Sequence, residues 1–403
     1  MLSFINRNLA ILFVCQLVFV SGTVILVTVG GLVGYELAPD PALGTLPVAL
    51  MVVGTACATI PASLTMQRLG RRSGFLIATG IATLGASGAV FALSVNNFVL
   101  FCMGTSLVGA SLGFSQQFRF AAAESVTPDK VSFAVSFILL GSIVGAIVGP
   151  GLVTYAADIG AENPYRLAFQ GAIALYALAA IVLIGLRPIA STTDEVDSIV
   201  QAPRSVLEII RGPKLLTAVL AGVVGQGVMT YVMTATPISM NVSDGYSLQE
   251  TSAVIRAHVI AMYLPSLVTP FLIERFGVGK VMVVGVVTFL ATLAIGLAGK
   301  HYLHYWFAMV MLGVGWNFLF VGGTTLLVQA YRANERFKSQ ALNDFSVFTM
   351  SALASLLAGT ILHQLGWNMV LLSTVPLLVV MLVMVGYWRK SESNDSSIST
   401  LGR

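Results

Sequence analysis

The amino-acid sequence predicts an all-α membrane protein with twelve transmembrane helices in two pseudo-symmetric six-helix bundles. Three observations predict it. Hydrophobic residues make up 57% of the 403 and charged ones only 9%, against ~25% charged in soluble domains. So few charges cannot cover the surface of a soluble protein of this length. Apolar runs of ~20 residues, enough to cross a bilayer core as helix, recur along the whole chain. These runs divide six and six around one polar stretch, Arg187 to Lys214. Outer-membrane barrels are excluded, because their short strands alternate in polarity.

The first run, 9–36, is too long for a cleaved signal peptide and is expected to stay as span 1. Charged or Pro/Gly/Asn punctuation then separates spans near 44–66, 73–95, 98–122, 131–156 and 167–186. A second group falls near 215–239, 252–273, 280–299, 305–329, 341–363 and 367–388. The expected organisation is an N-terminal bundle (1–187), a linker (188–214), a C-terminal bundle (215–390) and a tail (391–403). The linker opens with the solvated run STTDEVDS and continues as PRSVLEIIRGPK. Ser205 and Glu208 have capping-box spacing there, so a short helix lying at the membrane interface is expected.

With the N-terminus inside, 18 of the 21 lysines and arginines fall in inner segments, and only Arg166, Arg256 and Lys300 lie outside or near the outer face. That asymmetry predicts cytoplasmic termini and a cytoplasmic linker. The net charge of +4 forms no basic stripe, which excludes a nucleic-acid partner. Cys15, Cys57 and Cys102 sit far apart in apolar runs and read as buried free thiols. Neither a metal site nor a cofactor motif is present in the sequence. With no paired carboxylates, phosphate loop or nucleophile elbow, catalysis is not expected.

The halves echo each other. After span 2 the chain reads QRLGRRSG (Gln67 to Gly74), and after span 8 ERFGVGK (Glu274 to Lys280). Internal repeats of this kind build alternating-access transporters. Twelve spans, the six-plus-six division and the loop after span 2 together resemble the major facilitator superfamily over the whole chain. Its loop pattern is Gly-x-x-x-Asp-Arg-x-Gly-Arg-Arg/Lys. Here Arg68, Gly70, Arg71 and Arg72 match, whereas Ser63 and Gln67 replace the Gly and the Asp. Span 5 carries Gly145, Gly149 and Pro150, part of the G-x-x-x-G-P pattern of proton antiporters, and the span 4 Arg of that group is absent, with Thr105 in its place. The sequence is also similar in size and style to some bacterial riboflavin importers.

By that resemblance, spans 1, 4, 7 and 10 line the central path. Their polar residues are Gln16 and Thr23; Gln116 and Arg119, with Gln117 turned away by ~100°; Gln226, Thr230, Tyr231 and Thr234; and Trp316 and Asn317. Each alone reads as interhelical glue; as four sets they favour a solute site centred on Gln226 and Asn317. Arg119 is expected near the inner end of the path, either facing an anionic solute or snorkelling. All 17 acids fall in loops or at span ends, so a mid-membrane carboxylate is not expected, and His258 is the proton-coupling candidate. The resemblance also implies a gate. With Gln67 in place of Asp, Asp344 in span 11 is expected to meet Arg68, Arg71 or Arg72 when the inner side closes, and Glu274 to face Lys130.

The expected function is secondary active transport of a small organic solute, polar and uncharged or weakly anionic, such as a vitamin. The alternatives are proton-coupled efflux and a non-transporting receptor or assembly partner. The partners implied are the solute, the bilayer and H+ or another coupling ion, and the chain is expected to be a monomer.

Overall fold

The structure is a computed structural model that describes residues 5–40, 43–44, 46–159, 163–189, 204 and 206–401. Every regular element among them is helical. The first half holds α1 (Arg7–Leu37), α2 (Leu46–Ser94), α3 (Phe98–Ser115), α4 (Phe118–Glu124), α5 (Val131–Asp158) and α6 (Pro164–Ile184). A short α7 (Val206–Arg211) follows. The second half holds α8 (Pro213–Ile238), α9 (Leu248–Tyr263), α10 (Thr269–Phe276), α11 (Val278–Ala298), α12 (Tyr302–Val328), α13 (Arg336–Leu372) and α14 (Val375–Leu401).

The helices start where the sequence supplies caps. Asn6, Asn97 and Asn163 accept from the backbone N–H three residues on at α1, α3 and α6, and Ser247 with Glu250 closes a full capping box on α9. Two helices are longer than a bilayer needs: α2 holds two spans, and the last residues of α13, 367–372, belong with α14 to the final span. Gly70, at φ 82° and ψ 164°, breaks α2, and Gly366, at φ 78° and ψ 175°, breaks α13. The chain truly folds back at Gly70: a Cβ on Gly74 would lie 2.3 Å from the Met66 side chain, whereas eight residues of straight helix span ~12 Å. Gly277, at φ 84°, takes the same role between α10 and α11, so the echoing loops share one backbone device. Positive φ strains residues with a Cβ. A bend of 48° between α9 and α10 makes those two helices one broken span, and twelve membrane-crossing segments result among the described residues.

The chain divides into two compact units, Met1–Ile199 with Gln340–Phe345, and Val200–Ser339 with Ser346–Arg403. In the first, α5 lies directly on α1. A Cβ at Gly141, Gly145 or Gly149 would come within 2.9, 2.6 and 2.7 Å of the carbonyl oxygens of Phe13, Leu17 and Ser21. Both rows advance by four residues, so the glycine pattern of span 5 is a seam that lets two backbones touch, as small residues do between membrane helices. Pro150, beside that seam, sits inside α5. In the second unit, Arg204 of the linker is anchored by Glu335, which takes bonds from its Nε (2.8 Å), Nη2 (2.7 Å) and backbone N–H (3.1 Å). The buried Glu335 lies in the short turn before α13, outside the spans, and its carboxyl is held down at about 2 by hydrogen bonding to Arg204.

Several expectations change. Span 4 is broken at Gln116 and Gln117 into α3 and α4. α13 begins at Arg336, so span 11 starts earlier than residue 341. Residues 391–401, expected as a tail, continue α14. Cys57 is exposed, although Cys15 and Cys102 are buried. The short linker helix is present as α7; Ser205 and the STTDEVDS run lie outside the described residues.

Candidate functional site

In the first unit, a run of buried polar side chains converges around the break between α3 and α4. Where two turn residues replace helix, Gln117 comes inward and is fully buried, while Gln116 is only half-buried. The expectation that Gln117 turns away assumed an unbroken helix. Gln117 Oε1 accepts from Arg71 Nη1 (2.8 Å) and its Nε2 donates to Asp344 Oδ2 (3.0 Å). Arg71 grips Glu124 with two nitrogens, at 3.2 and 2.6 Å, and donates to Gln340 Oε1 at 2.7 Å. Gln340 donates in turn to Glu124 at 2.9 Å. Arg119 is paired with Asp344, whose same oxygen also accepts from Asn343.

The partner of Asp344 is therefore Arg119, and neither Arg68 nor Arg72, both exposed, shares in the network; nor does the exposed Gln67. Arg119 is 4% exposed, so it does not snorkel. Asp344 is wholly buried, eight residues into α13, further into its helix than the expected first turn. Lys130 pairs with the adjacent Asp129 at 3.5 Å and lies over the Phe133 ring, and Glu274 is exposed in the last turn of α10. Toward the other end of this unit, Gln16 donates to Ser142 of α5 at 3.0 Å, and Thr23 donates back to the Phe19 carbonyl of its own helix.

In the second unit, Gln226 and Trp316 come together. The Trp316 indole Nε1 donates to Gln226 Oε1 at 2.8 Å, and Gln226 Nε2 reaches Thr230 Oγ1 at 3.4 Å. Thr230 pairs with Ser351 of α13 at 2.9 Å. Tyr231 accepts from Ser373 at 3.1 Å and Thr234 is half-buried. Asn317 stands apart from Gln226. Fully buried, it donates to the Met262 carbonyl and Ser266 Oγ, both at 2.7 Å, and accepts from Thr269 at 2.8 Å. These bonds satisfy the backbone and hydroxyl groups at the bend between α9 and α10, so Asn317 holds a broken span together. Residues one apart on a helix face ~100° apart, which is why mid-span depth did not separate it from Trp316.

His258 is fully buried, and its Nδ1 meets the Met309 carbonyl at 2.8 Å. A carbonyl only accepts, so Nδ1 carries the proton. Sequence reasoning missed Gln117, Glu124 as a buried pair, Gln340, Ser142 and Ser351. Their signal in the sequence is no more than amide, hydroxyl or carboxylate groups in or beside apolar runs.

Two units of six spans each, with amide, hydroxyl and indole groups held inside them, define a polytopic membrane transporter rather than an enzyme. The chain belongs to the Major Facilitator Superfamily, whose family model matches residues 11–262 and 227–401. It is 38% identical over 381 residues to the riboflavin transporter RfnT of Brucella anthropi, covering 94% of each chain. It is 29% identical over 400 residues to YddS of Bacillus subtilis, an uncharacterized MFS-type transporter, covering 96% of this chain and 92% of that one. Its fold is similar to that of the Escherichia coli fucose:proton symporter FucP, with a TM-score of 0.72 at 16% identity over 94% of this chain and 98% of that one.

Proposed function

We propose that the protein takes up riboflavin, or a solute with a similar ring system, by alternating access across a bacterial inner membrane. The observation that carries the reading is the 38% identity to a riboflavin transporter over 94% of both chains. The side chains agree with it: an amide, two hydroxyls and an indole around Gln226 suit a flat, neutral, acceptor-rich molecule better than a sugar or a charged drug. In this reading Gln226 of the second unit contacts the solute, and Trp316 and Thr230 hold its amide in place.

The lysine and arginine bias supports cytoplasmic termini. The network of Arg71, Gln117, Arg119, Glu124, Gln340 and Asp344 serves as the inner gate, and His258 is the site for a coupling proton. Purified protein in proteoliposomes, given labelled riboflavin with and without a pH gradient, tests the reading. Uptake that saturates and is competed by unlabelled riboflavin supports it; no uptake above protein-free vesicles overturns it.

A further inference from the structure

We infer that Gln226 reads a hydrogen-bond acceptor on the solute's ring system with an amide N–H whose direction is set by Trp316, an inference that rests on the proposed function. An indole nitrogen can only donate. The Gln226 oxygen that meets Trp316 Nε1 at 2.8 Å is thereby fixed as the accepting end, and Nε2 points the other way. One Nε2 proton goes to Thr230 Oγ1 at 3.4 Å. Thr230 Oγ1 lies 2.9 Å from Ser351 Oγ, a bond in which either hydroxyl can donate. The bonds therefore run in one direction from Trp316 of α12 to Gln226 and Thr230 of α8, and Ser351 of α13 holds Thr230 in place.

The origin of that direction is rigid. Trp316 is 4% exposed, stacks on Phe320 with centroids 4.6 Å apart and meets Tyr263 edge-on at 5.7 Å. Its ring cannot rotate to release Gln226 without breaking both contacts. The second Nε2 proton of the half-buried Gln226 is presented to whatever lies beside it. A donor fixed in this way favours a carbonyl or a pyridine-type ring nitrogen. It disfavours an analogue that lacks the acceptor, because the donor is then left unpaired. Gln226 is the contact residue; Trp316, Thr230 and Ser351 are positioning residues.

The test uses the full chain in proteoliposomes, with riboflavin and three analogues that each weaken one ring acceptor: the 2-thio, 4-thio and 5-deaza compounds. In the wild type at least one analogue should compete about tenfold more weakly than riboflavin, the size expected when a buried donor loses its partner. In Gln226→Leu and in Trp316→Phe that ratio should fall to about twofold, whatever happens to the absolute rate. Thr230→Val, which keeps the shape, should lower the ratio in the same direction. A merely structural role for Trp316 would weaken riboflavin and analogue alike and leave the ratio unchanged. Equal competition by all three analogues in the wild type, or a ratio that survives in Gln226→Leu, overturns the inference. Failure of the wild type to move riboflavin overturns the proposed function instead. The bond direction is then read from the indole N–H resonance of Trp316, one of four tryptophans, which should shift in Gln226→Leu; an unmoved resonance refutes the clamp whatever the solute.

Discussion

Asp344→Asn should destabilise the first unit by an amount that an exposed ion pair could not supply. The Asp344 side chain is 0% exposed and that of Arg119 5%. The carboxylate takes bonds from Arg119 and Asn343 on one oxygen and from Gln117 on the other. Replacing it by an amide removes the countercharge of a guanidinium that cannot reach water, and sets an NH2 group against one of three donors. Breaking a buried pair in this way costs about 3–5 kcal/mol, against ~0–1 for an exposed pair. For a unit of about 200 residues, at ~2–4 °C per kcal/mol, melting should fall by about 6–20 °C. Replacing both partners with apolar residues, Arg119→Met with Asp344→Leu, should cost less than the sum of the two single changes, because no orphan charge remains. Thermal unfolding of detergent-solubilised protein, at low and high salt, is the assay, and added salt should leave the wild-type value nearly unchanged. A loss under about 2 °C for Asp344→Asn, below even one kcal/mol on that scale, would refute the reasoning. So would strict additivity in the double variant.

The seam of α5 on α1 predicts that Gly145→Leu lowers stability by at least ~1–3 kcal/mol, since its Cβ would sit 2.6 Å from the Leu17 carbonyl; melting equal to wild type would contradict this. Glu335, held at about 2 against an ordinary 4.5, contributes stability that is full above pH ~4.5 and lost as pH falls towards 2. Arg204 is 32% exposed, so screening trims the gain to about 1–2 kcal/mol; Arg204→Ala should flatten the fall in melting temperature between about pH 4.5 and pH 2, and an unchanged slope counts against the pairing. His258→Gln should flatten the pH dependence of the uptake rate, and an unaltered profile would dismiss His258 as the coupling group. Asn317→Leu should lower stability by ~1–3 kcal/mol by stripping the bend of its hydrogen bonds, and should leave the KM of the surviving carrier close to wild type; a selective rise in KM would return Asn317 to the solute site.

Span number and the division into halves were legible because both depend on composition over ~20 residues, which local detail cannot overturn. The echo of QRLGRRSG and ERFGVGK was legible too, and its cause is the positive φ shared by Gly70 and Gly277. Gly366 makes the same break without flanking arginines, so it carried no comparable signal. The polar interior was read less well. Counting 100° per residue placed Gln117 outward and failed where two turn residues interrupt the helix. Asp344 looked peripheral because apolar residues begin only at 341, while the helix itself begins at Arg336. Depth within a span was readable; which face a side chain occupies was not, since that is decided by partners far away in sequence, such as Asp344 for Arg119, 225 positions on.

The one-residue break at Gly70 has a consequence for how this protein is made. With Met66 against Gly74 there is no slack between the two limbs of α2, so neither can settle in the bilayer while the other is still outside it. So short a turn suits entry of the two limbs as a single helical hairpin, tip last. Arg68, Arg71 and Arg72 ride on that tip, and dragging three guanidinium groups through hydrocarbon is far costlier than leaving them behind. The hairpin's orientation is thus decided during synthesis, before any contact with the rest of the protein exists to correct it.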